Sequence, residues 1–154
     1  MPGAAAPLAA PSVGPAPGTE CWVFDVDGCL VDSLTGGSLR PGARGLIEHV
    51  ARSGGRVVLW SAGGEVHARA RAEAFGLGHL VSGYFSKDGR DAAGAYRTAH
   101  LPVRGWRTVF VDDHPEDLAG DLEVLAVSPY LSDDPHDRGL RAASRRAGLP
   151  WPEP

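Results

Sequence analysis

The segment Cys21-Trp22-Val23-Phe24-Asp25-Val26-Asp27-Gly28 (CWVFDVDG) decides the fold. Its apolar residues run consecutively, as in a strand buried on both faces of a parallel sheet, and the run ends in two acids and a glycine. Four short apolar runs follow at 56–60 (RVVLW), 80–85 (LVSGYF), 107–111 (RTVFV) and 123–127 (EVLAV). Helical patterns alternate with them. Residues 41–53 carry Leu46, Ile47 and Val50 on one face and stop at Gly54-Gly55, and residues 65–75 place Val66, Ala70 and Ala74 on one stripe before Gly76. Further helices are expected at 91–100, 115–120 and 135–147. Strands alternating with helices predict an α/β domain, a parallel sheet covered by helices.

Around this core, the first 19 of the 154 residues hold five Pro, six Ala and three Gly and no charge, which predicts a disordered tail over 1–19. Residues 150–154 form a short Pro-rich tail, leaving one domain over 20–149. The net charge of −4 excludes the strongly basic field of a general nucleic-acid binder. No apolar run is long enough to span a bilayer. Two cysteines are too few for a disulfide framework or a thiolate zinc site, and the N-terminus lacks the Lys or Arg start of an export signal, so a cytoplasmic location is expected. With no Asn and no Gln, polar recognition falls to Arg, His, hydroxyls, acids and backbone.

The first strand ends in Asp25 and Asp27 and the fourth in Asp112 and Asp113, which gathers four carboxylates at the C-terminal edge of one sheet, where ligands bind in open α/β folds. Two like charges 4 Å apart repel by roughly 4 kcal/mol at an effective dielectric near 20. A hard dication relieves that repulsion, and Mg²⁺ suits a site of oxygen ligands that also takes water and phosphate. A turn at Gly28 lets the Asp27 carbonyl point inward beside the Asp25 carboxylate. Any one of these acids alone reads as a loop or cap residue; the joint pattern of DVDG, VVLWSAGG, SKDG and DDHPED does not.

That order of DxDG, strand-Ser, Lys and paired Asp resembles the four motifs of the haloacid dehalogenase (HAD) superfamily, in particular its aspartate-nucleophile phosphatases, over about residues 21–127. The resemblance implies a three-layer sandwich on a five-stranded parallel sheet of order 5-4-1-2-3. It implies Asp25 as nucleophile and Asp27 as general acid and base. Ser61, with the Ala62 and Gly63 amides, would bind phosphate, and Lys87, the chain's single lysine, would stabilise it. Mg²⁺ would be held by Asp25, the Asp27 carbonyl and Asp113, with Asp112 or Asp117 in support. Superfamily dehalogenases lack the second acid and the transport ATPases replace it with Thr, so the DVDG form implies phosphoester hydrolysis or phosphoryl transfer, with phosphomonoester hydrolysis the first expectation. Cys29 stands where Thr or Val is usual after this glycine.

Neither interval that houses a cap domain in the superfamily has room for one here. The expected substrate is therefore a phosphorylated small molecule or a phosphoprotein at an open site, less readily a nucleic-acid end, with a second subunit of a homo-oligomer as an alternative lid. Residues 32–40 (DSLTGGSLR) are expected to form a mobile flap beside the site, with Arg40 on the surface. Arg90 is a substitute for Lys87, His114 either touches substrate or caps the next helix, and His49 and His67 are expected as helix surface residues. Trp60 is expected as packing beneath the site, and Arg138, Arg141 and Arg145 as the solvated face of the last helix. A phosphoacceptor receiver domain has a different motif order; a phosphotransferase or phosphomutase, or a catalytically silent binding module, remains the alternative function.

Overall fold

The computed structural model describes residues 19–151, so the expected tail over 1–19 lies, but for Thr19, outside the described residues. The apolar runs form five parallel strands: β1 Glu20–Phe24, β2 Arg56–Ser61, β3 Gly83–Ser86, β4 Arg107–Asp112 and β5 Val124–Ala126. Their order is β3-β2-β1-β4-β5, the order expected from the motifs. β1 is central, with Phe24 opposite Leu59 of β2 and Val111 of β4, so Asp25 and Asp112 emerge together at the sheet's C-terminal edge.

Alternation along the strands sorts the side chains into two layers. Trp22, Phe24, Val57, Leu59, Val109 and Val111 face three helices: α1 Ala43–Arg52, α2 Glu65–Ala74 and α3 Arg141–Arg146. α1 docks through Ala43, Leu46, Ile47 and Val50, as its periodicity predicts. It starts at Gly42, whose φ of +88° and close approach to Trp151 admit no side chain; a Cβ there would sit 2.5 Å from Trp151 Cζ3. Trp151, assigned from sequence to the terminal tail, packs on this core, and residues 152–154 lie outside the described residues.

α2 turns its other side to the sheet. Ala68 and Ala72 are buried while Val66, Ala70 and Ala74 are exposed, because two small residues let the helix approach closely where the β-branched Val66 would not.

Cys21, Val23, Val58, Trp60 and Phe110 face the opposite layer, which is built from irregular chain: Leu101 and Leu118, with Phe85, Tyr96, Val103, Trp106 and Leu122 at its margin. The helix expected at 91–100 does not form. Asp91 Oδ1 accepts the Ala93 and Ala95 amides, Gly94 takes φ +91°, and Arg90 bridges Tyr96, so a side-chain-capped turn replaces helical hydrogen bonds. The segment expected as a helix at 115–120 is a single 3₁₀ turn, Pro115–Asp117. The last helix is confined to Arg141–Arg146, because Asp134 and Asp137 close turns onto the His136 and Gly139 amides. Arg138 thus precedes the helix that was expected to carry it. β3 likewise starts three residues late, after a 3₁₀ turn at Gly78–Leu80.

Two ionic clusters brace the sheet's ends. At the N-terminal edge Glu20, fully buried, accepts from Trp22 Nε1 (3.1 Å) and Arg146 (2.7 Å), and Arg146 also binds Glu123 at 2.9 Å. Near the C-terminal edge Arg40, expected on the surface, is buried: its guanidinium binds Asp137 at 2.6 Å, the Cys29 carbonyl at 3.3 Å and Ser128 at 3.1 Å. Among the described residues no helix is long and apolar enough to cross a membrane.

Candidate active site

Four of the five strands, β1 to β4, contribute their last residue or the one just beyond it. Asp25 follows β1, Ser61 ends β2, Lys87 follows β3 and Asp112 ends β4, with Asp113 next in the chain. Lys87 stands at the centre. Its Nζ donates to Asp25 Oδ1 at 2.9 Å and to Asp112 Oδ2 at 2.8 Å, and all three side chains are less than a tenth exposed. The ammonium also lies 5.1 Å from the Trp60 ring centre and 5.4 Å from that of Tyr96, so aromatic faces line its apolar side. Trp60 thus sits beneath the site as its position before Ser61 predicts. Burial works against the Lys87 charge, but the two carboxylates outweigh it and hold its pKa above the usual value.

Asp25, Asp112 and Asp113 bring carboxylate oxygens within 4.8 Å of one another. Burial pushes the Asp25 carboxyl well above the usual carboxylate range, and Asp113 adds to this against the opposing pull of Lys87. Asp112 Oδ1 accepts the His114 amide at 2.8 Å, which leaves that acid committed to Lys87 and the turn. Asp113 Oδ1 is buried and has no hydrogen-bond partner. A buried carboxylate oxygen without a donor is costly, and an oxygen-seeking cation between Asp113 and Asp25 meets that need; the donor set fits Mg²⁺. Gly28, at φ +80°, makes the room, since a Cβ there would lie 2.5 Å from Asp113 Oδ2.

Asp117, expected in support, stands apart. Its carboxylate pairs with Arg90 at 3.2 Å and Arg90 stacks on Tyr96 at 4.1 Å, so neither joins the cluster around Asp25. Ser61 is buried and its Oγ accepts the Gly63 amide at 3.0 Å, so of the two amides expected to face phosphate, that of Gly63 is turned to Ser61. His114 spans Asp113 (3.5 Å) and Glu116 (3.1 Å); the hydrogen bond that its ring donates to Glu116 and the Asp113 charge raise its pKa. Cys29 donates weakly to the Val111 carbonyl at 3.6 Å, and burial together with the three nearby acids holds its thiol far above the usual range, which removes it as a nucleophile.

The residue that sequence reasoning missed is His67. Its Nε2 lies 2.8 Å and 3.1 Å from the two carboxylate oxygens of Asp27. The signal was the Gly63-Gly64 pair: a Cβ on Gly63 would fall 2.8 Å from His67 Cδ2, so the missing side chain is the slot in which the imidazole lies. His49, also expected on the surface, is half-buried and shares a hydrogen bond with the Ala147 carbonyl at 2.8 Å, linking α1 to α3.

The expected flap at 32–40 is stitched down. Asp32 accepts from Thr35, Gly36 and Ser38, and these bonds, that of the Ser38 hydroxyl foremost, hold its carboxyl far below the usual range. The main chain of Ser33 and Leu34 bonds to Tyr130 and Leu131, and Tyr130 in turn to Gly28.

A structure with a similar fold is a haloacid dehalogenase-like family hydrolase from Streptococcus pneumoniae, which superposes with a TM-score of 0.57 over 75% of this chain and 88% of its own at 12% identity. The chain has the haloacid dehalogenase-like fold. No protein-family model and no curated protein sequence matches it. In this fold the sheet edge that holds Asp25, Lys87 and Asp113 is the edge at which open α/β sheets bind ligands. The intervals 25–42 and 87–106, after β1 and after β3, contain only turns and isolated bridges.

Proposed function

We propose that this protein is a Mg²⁺-dependent phosphomonoesterase working through an aspartyl-phosphate on Asp25. The observation that carries the reading is the buried cluster of Asp25, Asp112 and Asp113 around a single Lys87, with one Asp113 oxygen left without a donor. One ammonium does not balance three carboxylates. Asp25, Asp113 and the Asp27 carbonyl would hold the metal, which when bound supplies the positive charge that lets an anionic nucleophile meet an anionic phosphate.

In the first half-reaction an Asp25 oxygen bonds to phosphorus as the ester P–O bond breaks, and the departing oxygen takes a proton from Asp27. In the second, Asp27 takes a proton from the water that attacks the aspartyl-phosphate, and inorganic phosphate leaves with Asp25 restored. Lys87 and Ser61 would hold the equatorial oxygens that carry charge in the transition state. With only turns beside the site, the substrate reading is an exposed phosphate on a small molecule or a protein. Both cysteines are free and buried, in keeping with a cytoplasmic location.

The test is phosphate release from a panel of phosphorylated metabolites and phosphopeptides, with and without Mg²⁺, for wild type and Asp25→Asn. Metal-dependent release lost in Asp25→Asn supports the reading. Phosphate delivered to added alcohols in place of water moves it to a phosphotransferase, and no turnover by a folded, metal-binding protein moves it to a binding module.

A further inference from the structure

We infer that His67 is a positioning residue that fixes the Asp27 carboxylate for proton transfer to the leaving group; this rests on the phosphatase reading above. Three observations converge on it. Asp27 lies beyond the end of β1, just before the turn at 28–30, and its side chain is two-fifths exposed, so nothing in the strand fixes its rotamer. His67 Nε2 faces both of its oxygens, at 2.8 and 3.1 Å. The imidazole, itself only 30% exposed, reaches Asp27 across the Ser61 loop through the gap left by Gly63, where a side chain would strike the ring.

These contacts join the two halves of the site. His67 is the third residue of α2, and α2 begins where the Ser61 loop ends: Ser61 accepts the Gly64 amide through its carbonyl at 3.1 Å and the Gly63 amide through its hydroxyl at 3.0 Å. The group that holds Asp27 is therefore anchored to the loop that meets phosphate. As a donor of a single Nε2–H shared between the two Asp27 oxygens, the ring leaves lone pairs on the carboxyl group to carry the proton that the departing ester oxygen takes when the Asp25–phosphorus bond forms and the ester bond breaks. The need for this alignment grows with the basicity of the leaving group. An aryl oxide departs without a proton far more readily than an alkoxide.

The experiment compares wild type, His67→Ala, His67→Gln, Asp27→Asn and the His67→Ala/Asp27→Asn double variant on an alkyl phosphate and on p-nitrophenyl phosphate, at saturating Mg²⁺. The expected result is a fall in kcat of about 10- to 100-fold on the alkyl ester for His67→Ala, with a much smaller fall on the aryl ester and little change in KM. His67→Gln, which keeps a donor in nearly the same place, recovers part of the loss. The double variant is no slower than Asp27→Asn, because the two residues act as one unit. Equal losses on both esters, or losses that multiply in the double variant, overturn the inference.

A second reading is independent of turnover. In protein labelled with ¹⁵N-histidine, Asp27→Asn shifts the His67 imidazole resonances, and an unmoved signal overturns the contact whatever the kinetics. A shifted signal in a protein without Asp25-dependent turnover shows the contact intact, and it is then the phosphatase reading that fails and takes the role of His67 with it.

Discussion

Asp25 is surrounded at close range by two further acids and one lysine, and that imbalance has a sign. Its carboxyl is held well above the usual range by burial first and by Asp113 next, so the folded, metal-free protein binds a proton there more tightly than the unfolded chain does. Between the unfolded value near 4 and the raised folded value, the native state carries the extra proton, and its stability falls as pH rises through that window. The apo protein is therefore expected to lose thermal stability from this group on going from mildly acidic to neutral pH, and saturating Mg²⁺ to remove the loss. Asp25→Asn takes away the charge with little change of shape while Lys87 keeps Asp112. The metal-free variant should melt at or above the wild-type temperature at neutral pH and lose the pH-dependent part, at roughly 2–4 °C per kcal/mol. Thermal scans of both proteins at several pH values, with and without chelator, check this. A variant that melts far below wild type would show that Asp25 serves the fold. Lys87→Met should do the opposite, lowering the melting temperature at neutral pH by leaving three acids without their counter-charge.

At the scale of the elements, the turns after β1 and β2 set the site through glycines whose missing side chains are occupied by functional atoms. Gly28→Ala demands both a strained φ of +80°, costing about 1 kcal/mol, and displacement of Asp113 Oδ2 from 2.5 Å. It should weaken Mg²⁺ binding, read by calorimetry, more than it lowers the melting temperature. Gly63→Ala has no positive φ to oppose it, so the change falls on the His67 ring 2.8 Å away. Its kinetics should copy His67→Ala, with the alkyl phosphate slowed more than the aryl one. The strands were legible because they are buried on both faces, and their consecutive apolar residues announce it; hence the position of Asp25, Asp112 and Asp113 at one edge followed from counting, while the resemblance supplied Ser61 and Lys87. α2 was legible as a helix but not in its rotation. Its apolar residues are alanines on both sides, so the pattern carried little weight, and reading Val66 inward put His67 on the wrong side.

Across the whole molecule, one face of the sheet is covered by three helices and the other by the irregular chain that follows β3 and β4. Local side-chain bonds made parts of both layers illegible: Asp91 capping its own turn in the second layer and Asp137 engaging Arg40 ahead of α3 in the first override helical patterns that composition alone supported. Arg40 was read as a surface residue for the same reason, since nothing local shows that a carboxylate 97 positions away will meet it. Yet it ties three distant segments together: it follows the loop stitched by Asp32, binds the carbonyl after Gly28, and reaches Ser128 and Asp137 beyond β5. Its guanidinium also lies over Tyr130, whose amide bonds the Gly28 carbonyl at 2.7 Å. Removing one partner of a buried pair leaves the other charge without compensation, which costs about 3–5 kcal/mol. Arg40→Ala should therefore lower stability by that order and, because the Gly28 turn loses its brace, lower Mg²⁺ affinity in the fraction that remains folded. Arg40→Met, which keeps the packing, paired with Asp137→Leu, should recover much of the stability by removing both charges together. Denaturant unfolding of the single and double variants separates the two contributions. A single Arg40→Ala loss below about 1 kcal/mol would mean that the loops after β1 and β5 are held by their main-chain bonds alone.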